Sequence, residues 1–524
     1  MRKVDILTPF DNQLITHTVG YNLKYVSPYN AVQASYEVDC VTEGFNMPEL
    51  VAKLVVTIKN RYPGIPMNSI INLILVKIAQ MLTAKRIKYV EHCKVGYPNY
   101  YAIIFMISGA GKDKLSNELD NFVFYPFREW FKFNVQARKD KFKTEIQQSA
   151  VAKFSKEKQE LQRKSYIKEK LKEFRNMIIE VSDGTREGLY CDAKAFKSAD
   201  FGSLMVKIAE FGQYLTNMTT EQKLFLNTLF EGYDGIIRSK CIKGERREES
   251  VEDLPVNALL YSDPTMFKNH NVETMFNNLM ETGLGRRCVI TFMCKKEPYE
   301  IEKDPQKAYK SENKYYQDLK AIGEKLFKVF DSVTLDTQYE LQEKTYTQSF
   351  YPYRIRLEEL ANKEDNSLLD KEIISRELKA LKLSTIYACL NHPAEFYIFQ
   401  NDMEQAIDTV EMLSKDFKSF LNYKPKRYDK YDKFYNFLAE HINEKFGKTQ
   451  LVCHYYSYSG LSRDKFRSEF EKYMEVIAEM ATQRGTFLEK TPINHNSGYS
   501  YSLIYLQPKN LSDKVIPLDT LLNG

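Results

Sequence analysis

Residues 100–116 read YYAIIFMISGAGKDKLS. The run from Tyr100 to Ser108 is β-branched, aromatic and uncharged, and its length suits a strand buried on both faces. Gly109-Ala110-Gly111-Lys112 then turns the chain into a helix-compatible segment beginning near Asp113. Strand, glycine turn and helix in this order make a context for phosphate binding. Small residues let backbone N–H groups approach an anion, the helix start favours negative charge, and a lysine reaches the outer oxygens. The full signature has an earlier glycine and a hydroxyl residue after the lysine; Met106 and Asp113 stand in those places here.

Apolar residues recur at helical spacing upstream, from Pro48 to Lys59 and from Asn68 to Ala84, with Tyr62-Pro-Gly-Ile-Pro66 as the turn between two packed helices. Residues 1–45 mix short apolar pieces with Asn, Tyr and Pro and read as an irregular lead-in. Downstream, Phe127 to Asp183 holds neither Gly nor Pro. Phe142, Ile146, Ala150 and Phe154, then Ile167, Leu171 and Phe174, fall at helical spacing, which predicts one or two long helices. Short apolar runs at Met177–Val181, Ser203–Ala209, Val256–Tyr261 and Cys288–Met293 alternate with helical segments, the pattern of an α/β layered sheet. Past about Asp365 the helical period takes over through Leu421, broken briefly at Phe396-YIF. After the basic, tyrosine-rich Tyr423-KPKRYDKYDK come helices at Phe434–Phe446 and Arg463–Gln483, then strands at Thr486 and Tyr499 around the turn Asn494-HNSG, the parts of a winged helix.

The expected organisation is a lead-in at 1–45, an α/β P-loop core at 46–300 with a basic helical insertion at 127–180, a helical lid at 301–425 and a winged-helix-like domain at 426–524. Hydrophobic residues at 43% and charged residues at 28% fit a chain that folds on its own core. The eight cysteines include no CxxC pair, which argues for a reducing compartment and against a zinc site. Asp5 and Pro9 interrupt any signal-peptide core, and Asn72, Lys77 and Gln80 make the most apolar helix too polar to span a bilayer. A cytoplasmic location without membrane contact is the expectation. Net charge is +5, yet Arg138–Arg175 alone holds 13 Lys/Arg against 6 Asp/Glu, so a nucleic-acid backbone could track this stretch, which equally reads as a solvated helix face.

Phosphate chemistry also needs a carboxylate on a neighbouring strand end, to hold a magnesium shell or orient water. Leu204-MVKIAEFG offers Glu210 there, preceded by Ala209 where a second acid would be usual. Asp113 and Glu210 are therefore the candidate Mg2+ ligands, and Gly109, Ala110, Gly111, Lys112, Asp113 and Lys114 the candidate cradle for ATP. Ser262 or Asp263, after the Val256 strand, could sense the γ-phosphate; Arg286 or Arg287, before the Cys288 strand, could stabilise transition-state charge across a subunit boundary. The adjacent pairs His92-Cys93 and Cys453-His454 have no partner pair at ligand spacing.

In this order the parts resemble a family of phage and mobile-element P-loop ATPases found with primases and replicative helicases. The likeness rests on the paired helices before the glycine turn, Asp183-GTREGL, Glu210-Phe-Gly, Gly283-LGRR and the segment Lys371–Leu421 with Met403-EQAIDTV, and it covers about two thirds of the chain. Met106, Asp113 and Ala209 depart from the family pattern. The resemblance implies a ring-forming DNA helicase or translocase: an ATP hydrolase using Mg2+, a homo-oligomer such as a hexamer, with single-stranded DNA as track and primase or other replication proteins as partners. Two alternatives stay open. One is an ATP-switched initiator or helicase loader that hydrolyses little; the other is a P-loop fold that has lost nucleotide and serves as an interaction protein.

Overall fold

The computed structural model describes residues 46–505 apart from 155–159, 239–249, 424–428, 493–498 and the single positions 173, 183, 200, 217 and 485. The expected lead-in at 1–45, Asp183 and the turn at Asn494 lie outside the described residues. The chain divides into two compact units, Met1–Tyr423 and Lys424–Gly524.

In the first unit, helices α1 (Glu49–Arg61) and α2 (Met67–Thr83) form at the expected positions. A proline precedes each at the N-cap, and α1 buries Val51, Leu54, Val55 and Ile58 along one stripe. From Ser69 to Thr83 every residue of α2 is buried, so this helix has no solvent face. It lies against the central sheet. Strands β1 (Lys88–Glu91) and β2 (Lys94–Gly96) form a hairpin, and β3 (Tyr101–Met106) follows, buried throughout. The chain then passes through α3 (Lys112–Glu118) and α4 (Tyr125–Lys153) before β4 (Leu204–Ile208), β5 (Val256–Ser262) and β6 (Cys288–Met293).

The central sheet has the order β4-β5-β3-β6, and each neighbouring pair is parallel. All four carboxyl ends therefore lie along one edge. Connections leaving β3 and β5 run in opposite directions, to β4 and to β6, and ligands of open α/β sheets bind at such a carboxyl edge. A second sheet, β2-β1-β7-β8, recruits β7 (Gln338–Leu341) and β8 (Tyr397–Ile398) from far downstream. Both new pairings are parallel.

One expectation in this unit needs correction. Met177–Val181 is not a strand; only Val181 bridges Val206, because residues 174–180 run as an irregular segment whose Ile179 carbonyl is taken by Gln80 of α2. The stretch expected as a helical lid at 301–425 opens with the helix Pro305–Ser332. That helix is capped by Asp304 and packs Tyr315, Leu319, Ile322 and Leu326 toward α1 and residues 119–123. Helices Ser367–Asn391 and Gln400–Leu421 follow, the latter against β6. Helix α4 buries Phe127, Trp130 and Phe131 at its start and is largely uncovered beyond, where α5 (Glu160–Lys172) packs antiparallel to it through Phe154 and Tyr166. No helix among the described residues is long and apolar enough to cross a membrane.

In the second unit, the helix expected at Phe434–Phe446 runs instead over Asp429–Glu440. Phe446–Gly447 forms β9, which precedes helices Lys448–His454 and Arg463–Gln483 and the antiparallel strands β10 (Thr486–Pro492) and β11 (Tyr499–Tyr505). Sheet order is β10-β11-β9, over a core of Phe434, Phe466, Phe470, Ile477 and Leu503.

Because α2 is wholly buried, its Lys77 ammonium must be paired: it lies 2.8 Å from Asp120 and 2.6 Å from Glu180. Burial pulls the Lys77 ammonium down and the two carboxylates more than offset this, so its pKa rises. Burial likewise pushes the Glu180 carboxyl up, but Lys77 and then Lys207 outweigh it, and its pKa falls from 4.5 to about 2. Glu180 therefore stabilises the fold above pH 4.5, and that contribution is lost as pH falls from 4.5 toward about 2. Thermal melts across this window should show Glu180→Gln less acid-sensitive than the wild type; equal slopes would refute the assignment. Lys77→Met leaves two buried carboxylates together and should cost about 3–5 kcal/mol in urea denaturation.

Candidate functional site

The turn after β3 closes with the Ala110 N–H donating to the Ile107 carbonyl at 3.2 Å, and α3 starts at Lys112. Gly109 and Gly111 hold φ of +74° and +95°, the left-handed region where a side chain is strained, so both glycines are required by the backbone path. A Cβ at Gly109 would meet nothing, whereas one at Gly111 would lie 3.5 Å from the Tyr62 ring. Thus the outer face of the turn is open and its inner face rests on the inter-helix segment.

The buried Lys112 side chain crosses to the end of β4, where its Nζ lies 2.6 Å from the Glu210 carboxylate. Asp263, following β5, accepts from the Ser108 amide at 2.5 Å and from the Thr265 amide at 2.8 Å. Burial raises the Asp263 carboxyl, yet the amides of Thr265 and Ser108 prevail and hold it below the usual range. The turn, the acid and Asp263 thus meet at the carboxyl ends of three adjacent strands, as the sequence led one to expect for Lys112 and Glu210.

Other candidates are placed differently. Ser262 is buried and accepts from the Gly212 amide at 3.1 Å, so it ties the Phe211-Gly212 segment to β5. Asp113 and Lys114 are exposed on the first turn of α3. Arg286 and Arg287 precede β6 at the amino edge of the sheet, since Cys288 pairs with Tyr101 at the start of β3. They stand about one strand length, roughly 20 Å, from the glycine turn of their own chain. Arg287 pairs with Asp234 at 3.1 Å and lies over the Tyr233 ring. Arg286 is exposed and lines a small cavity of about 200 Å³ with Thr282, Leu368 and Lys371.

Several residues at the site carried no signal in the sequence. Glu118, at the end of α3, accepts from the hydroxyls of Tyr62 (2.8 Å), Tyr315 (2.7 Å) and Tyr316 (3.2 Å). This fixes the helix that follows the turn, through residues up to 198 positions apart. The Ser116 Oγ of the same helix accepts from Lys207 at 3.1 Å, which ties α3 to β4.

Among the described residues no three His, Cys, Asp or Glu side chains come together as a metal cluster. Magnesium held with a triphosphate asks less of the protein: one or two carboxylates besides phosphates and water. Glu210 is a hard oxygen donor, and here its carboxylate is paired with Lys112. Chemically the arrangement can take up an anion at the turn and set a carboxylate beside it. Neither known family models nor curated protein sequences match this chain.

Asp263→Ala should free the Ser108 and Thr265 amides and cost about 1–3 kcal/mol. Faster amide exchange at residues 107–111 without global unfolding is the expected result, and unchanged exchange there would show that Asp263 does not hold the turn.

Proposed function

We propose that this chain is a P-loop ATPase that acts on single-stranded DNA as a homo-oligomeric motor. The observation that carries the reading is the Lys112–Glu210 pair, 2.6 Å apart at the carboxyl edge of a parallel sheet, after a turn with two left-handed glycines. In this reading the amides of Gly109 to Lys112 and the start of α3 face the triphosphate. Lys112 reaches its outer oxygens. Glu210, released from Lys112 when phosphate competes for the ammonium, orients the attacking water. Glu210 would hold magnesium brought with ATP, and the ion would supply neutralisation of phosphate charge.

Arg286 lies too far from its own turn to serve it, and its exposure at the amino edge suits a role on the nucleotide of an adjoining copy, such as the next subunit of a hexameric ring. Arg287 is better explained as the partner of Asp234. The second unit supports a DNA role through its helix-strand-helix-helix-strand-strand order, that of a winged helix, with exposed Arg463, Lys465 and Arg467 opening its longest helix. Primase or other replication proteins are the partners this role would bring.

One observation favours a second reading. Asp113 occupies the place of the metal-binding hydroxyl, so the chain could hold ATP as a switch in an initiator or loader and turn it over slowly. Steady-state ATPase assays with and without oligo(dT) separate the two. A motor requires DNA-stimulated turnover that falls at least about 100-fold in Lys112→Ala and Glu210→Gln, with ATP binding retained in the latter. Tight binding of a fluorescent ATP analogue without stimulated turnover supports the switch; no binding at all removes both.

A further inference from the structure

The buried lysines of the first unit are compensated, with one exception. Lys77 reaches Asp120 and Glu180, Lys112 reaches Glu210, and Lys379 lies 3.2 Å from Glu372. Lys85 donates to the carbonyls of Asp331 and Val333 at the end of helix Pro305–Ser332, where a cation suits the helix dipole. Lys382, on helix Ser367–Asn391, is only 4% exposed and forms no ion pair among the described residues.

The Lys382 Nζ donates to Asn99 Oδ1 at 2.7 Å and to the Tyr233 carbonyl at 3.1 Å, and it lies 3.4 Å from the centre of the Tyr233 ring. Asn99 is held in place, because its own amide donates to the carbonyls of Tyr233 and Val256. This fixed seat offers two oxygen acceptors. They match the two N–H groups of a neutral amine, whereas an ammonium has a third N–H that finds only the ring. The ring face favours the charged form and burial the neutral one. Burial prevails: it brings the Lys382 pKa down from 10.5 to about 7, with Asp234 drawing it up and Arg287 down. Arg287 lies over the same Tyr233 ring at 6.0 Å and pairs with Asp234. Tyr89, Tyr100, Tyr101, Tyr233, Tyr387 and Cys288 surround the junction, and burial pushes each of them up, so none of these changes charge near neutral pH. One turn back on the helix, burial lowers Lys379 as well, while Glu372 holds it up.

We infer that Lys382 is a proton-sensitive latch: taking up a proton loosens the seat of helix Ser367–Asn391 on the amino edge of the central sheet, and releasing it tightens that seat. Asn99 stands just before β3, Val256 opens β5, and Arg287 leads into β6, so one proton acts where three strands begin. The turn Gly285–Arg287 packs on the same helix, which carries the effect to Arg286. The inference rests on this junction alone and holds whether or not the chain hydrolyses ATP.

The test is urea denaturation of the full chain and of Lys382→Met at a series of pH values, followed by the fluorescence of the single tryptophan, Trp130, which reports on the first unit. Between the folded pKa and the unfolded one, the unfolded chain holds one proton more, so rising pH favours the folded wild type; below the folded pKa both states are protonated and the dependence ceases. The wild-type unfolding constant, divided by that of Lys382→Met at the same pH, should therefore fall by nearly tenfold per unit between about pH 7.5 and 9 and level off toward about pH 6. A ratio constant within about twofold over this range overturns the latch. Should Lys382→Met not fold, amide exchange of the unaltered chain decides. Corrected for intrinsic rate, residues 97–101 and 378–388 should lose at least about fivefold more protection between about pH 8 and 6 than helix Arg463–Gln483 of the second unit; equal losses in both overturn the inference.

Discussion

A helix buried on every side needs partners for its polar groups, and α2 finds them at Asn72, Lys77, Gln80 and Thr83, leaving the Ser69 hydroxyl without one. Asn72 donates to the Val289 carbonyl and to Thr291 of β6, and accepts from Tyr100 at the foot of β3. Gln80 holds the Ile179 carbonyl, and its own carbonyl accepts from Ser203 before β4. Thr83 accepts from Asn257 of β5. Each strand of the central sheet is thereby fixed to one helix by hydrogen bonds whose loss would strand a buried polar atom. Lys77 extends the same constraint to Asp120 and Glu180, and Lys207 carries it on to Ser116 of α3. The position of the glycine turn depends on this polar scaffold as much as on apolar packing.

The four core strands and the glycine turn were legible because β3, β5 and β6 are nearly unbroken apolar runs ended by turn residues. Lys112 and Glu210 were each legible as residues following a strand, but that they pair with one another was not. What the sequence concealed was partnership over distance. Asn72, Lys77 and Gln80 stood out only as blemishes on an apolar helix, although each of them ties a separate segment. Met177–Val181 has the composition of a strand but lies at the sheet's margin, where only Val181 finds a neighbour and α2 takes the Ile179 carbonyl. Helix Pro305–Ser332 lies inside the expected lid, but its lysines and narrow buried stripe left its own bounds unread. Strands β7 and β8, with four and two residues, are too short for periodicity to register.

Direction within the parallel sheet gives the candidate residues their meaning. Lys112, Glu210 and Asp263 follow strands and gather at the carboxyl edge; Arg286 and Arg287 precede a strand and therefore belong to the amino edge. The sequence already set the first group after strands and the arginines before one; what it lacked was the parallel order that turns this into opposite edges. In the folded chain they differ by the sheet's full height. Any joint action of the two groups would thus demand a neighbouring copy, whereas Lys112 and Glu210 meet within one.

The pairing of β1 with β7 joins Tyr89 to Tyr339, residues 339 − 89 = 250 positions apart. During synthesis at about 5–20 residues per second, the edge of β1 waits on the order of 10–50 s for its neighbour to emerge. Over the same interval α2, built from some of the most apolar residues in the chain, lacks the helices Ser367–Asn391 and Gln400–Leu421 that later pack near it. The nascent chain thus exposes an apolar helix and an open strand edge, surfaces of the kind that chaperones shield, until the chain to Tyr423 has been made.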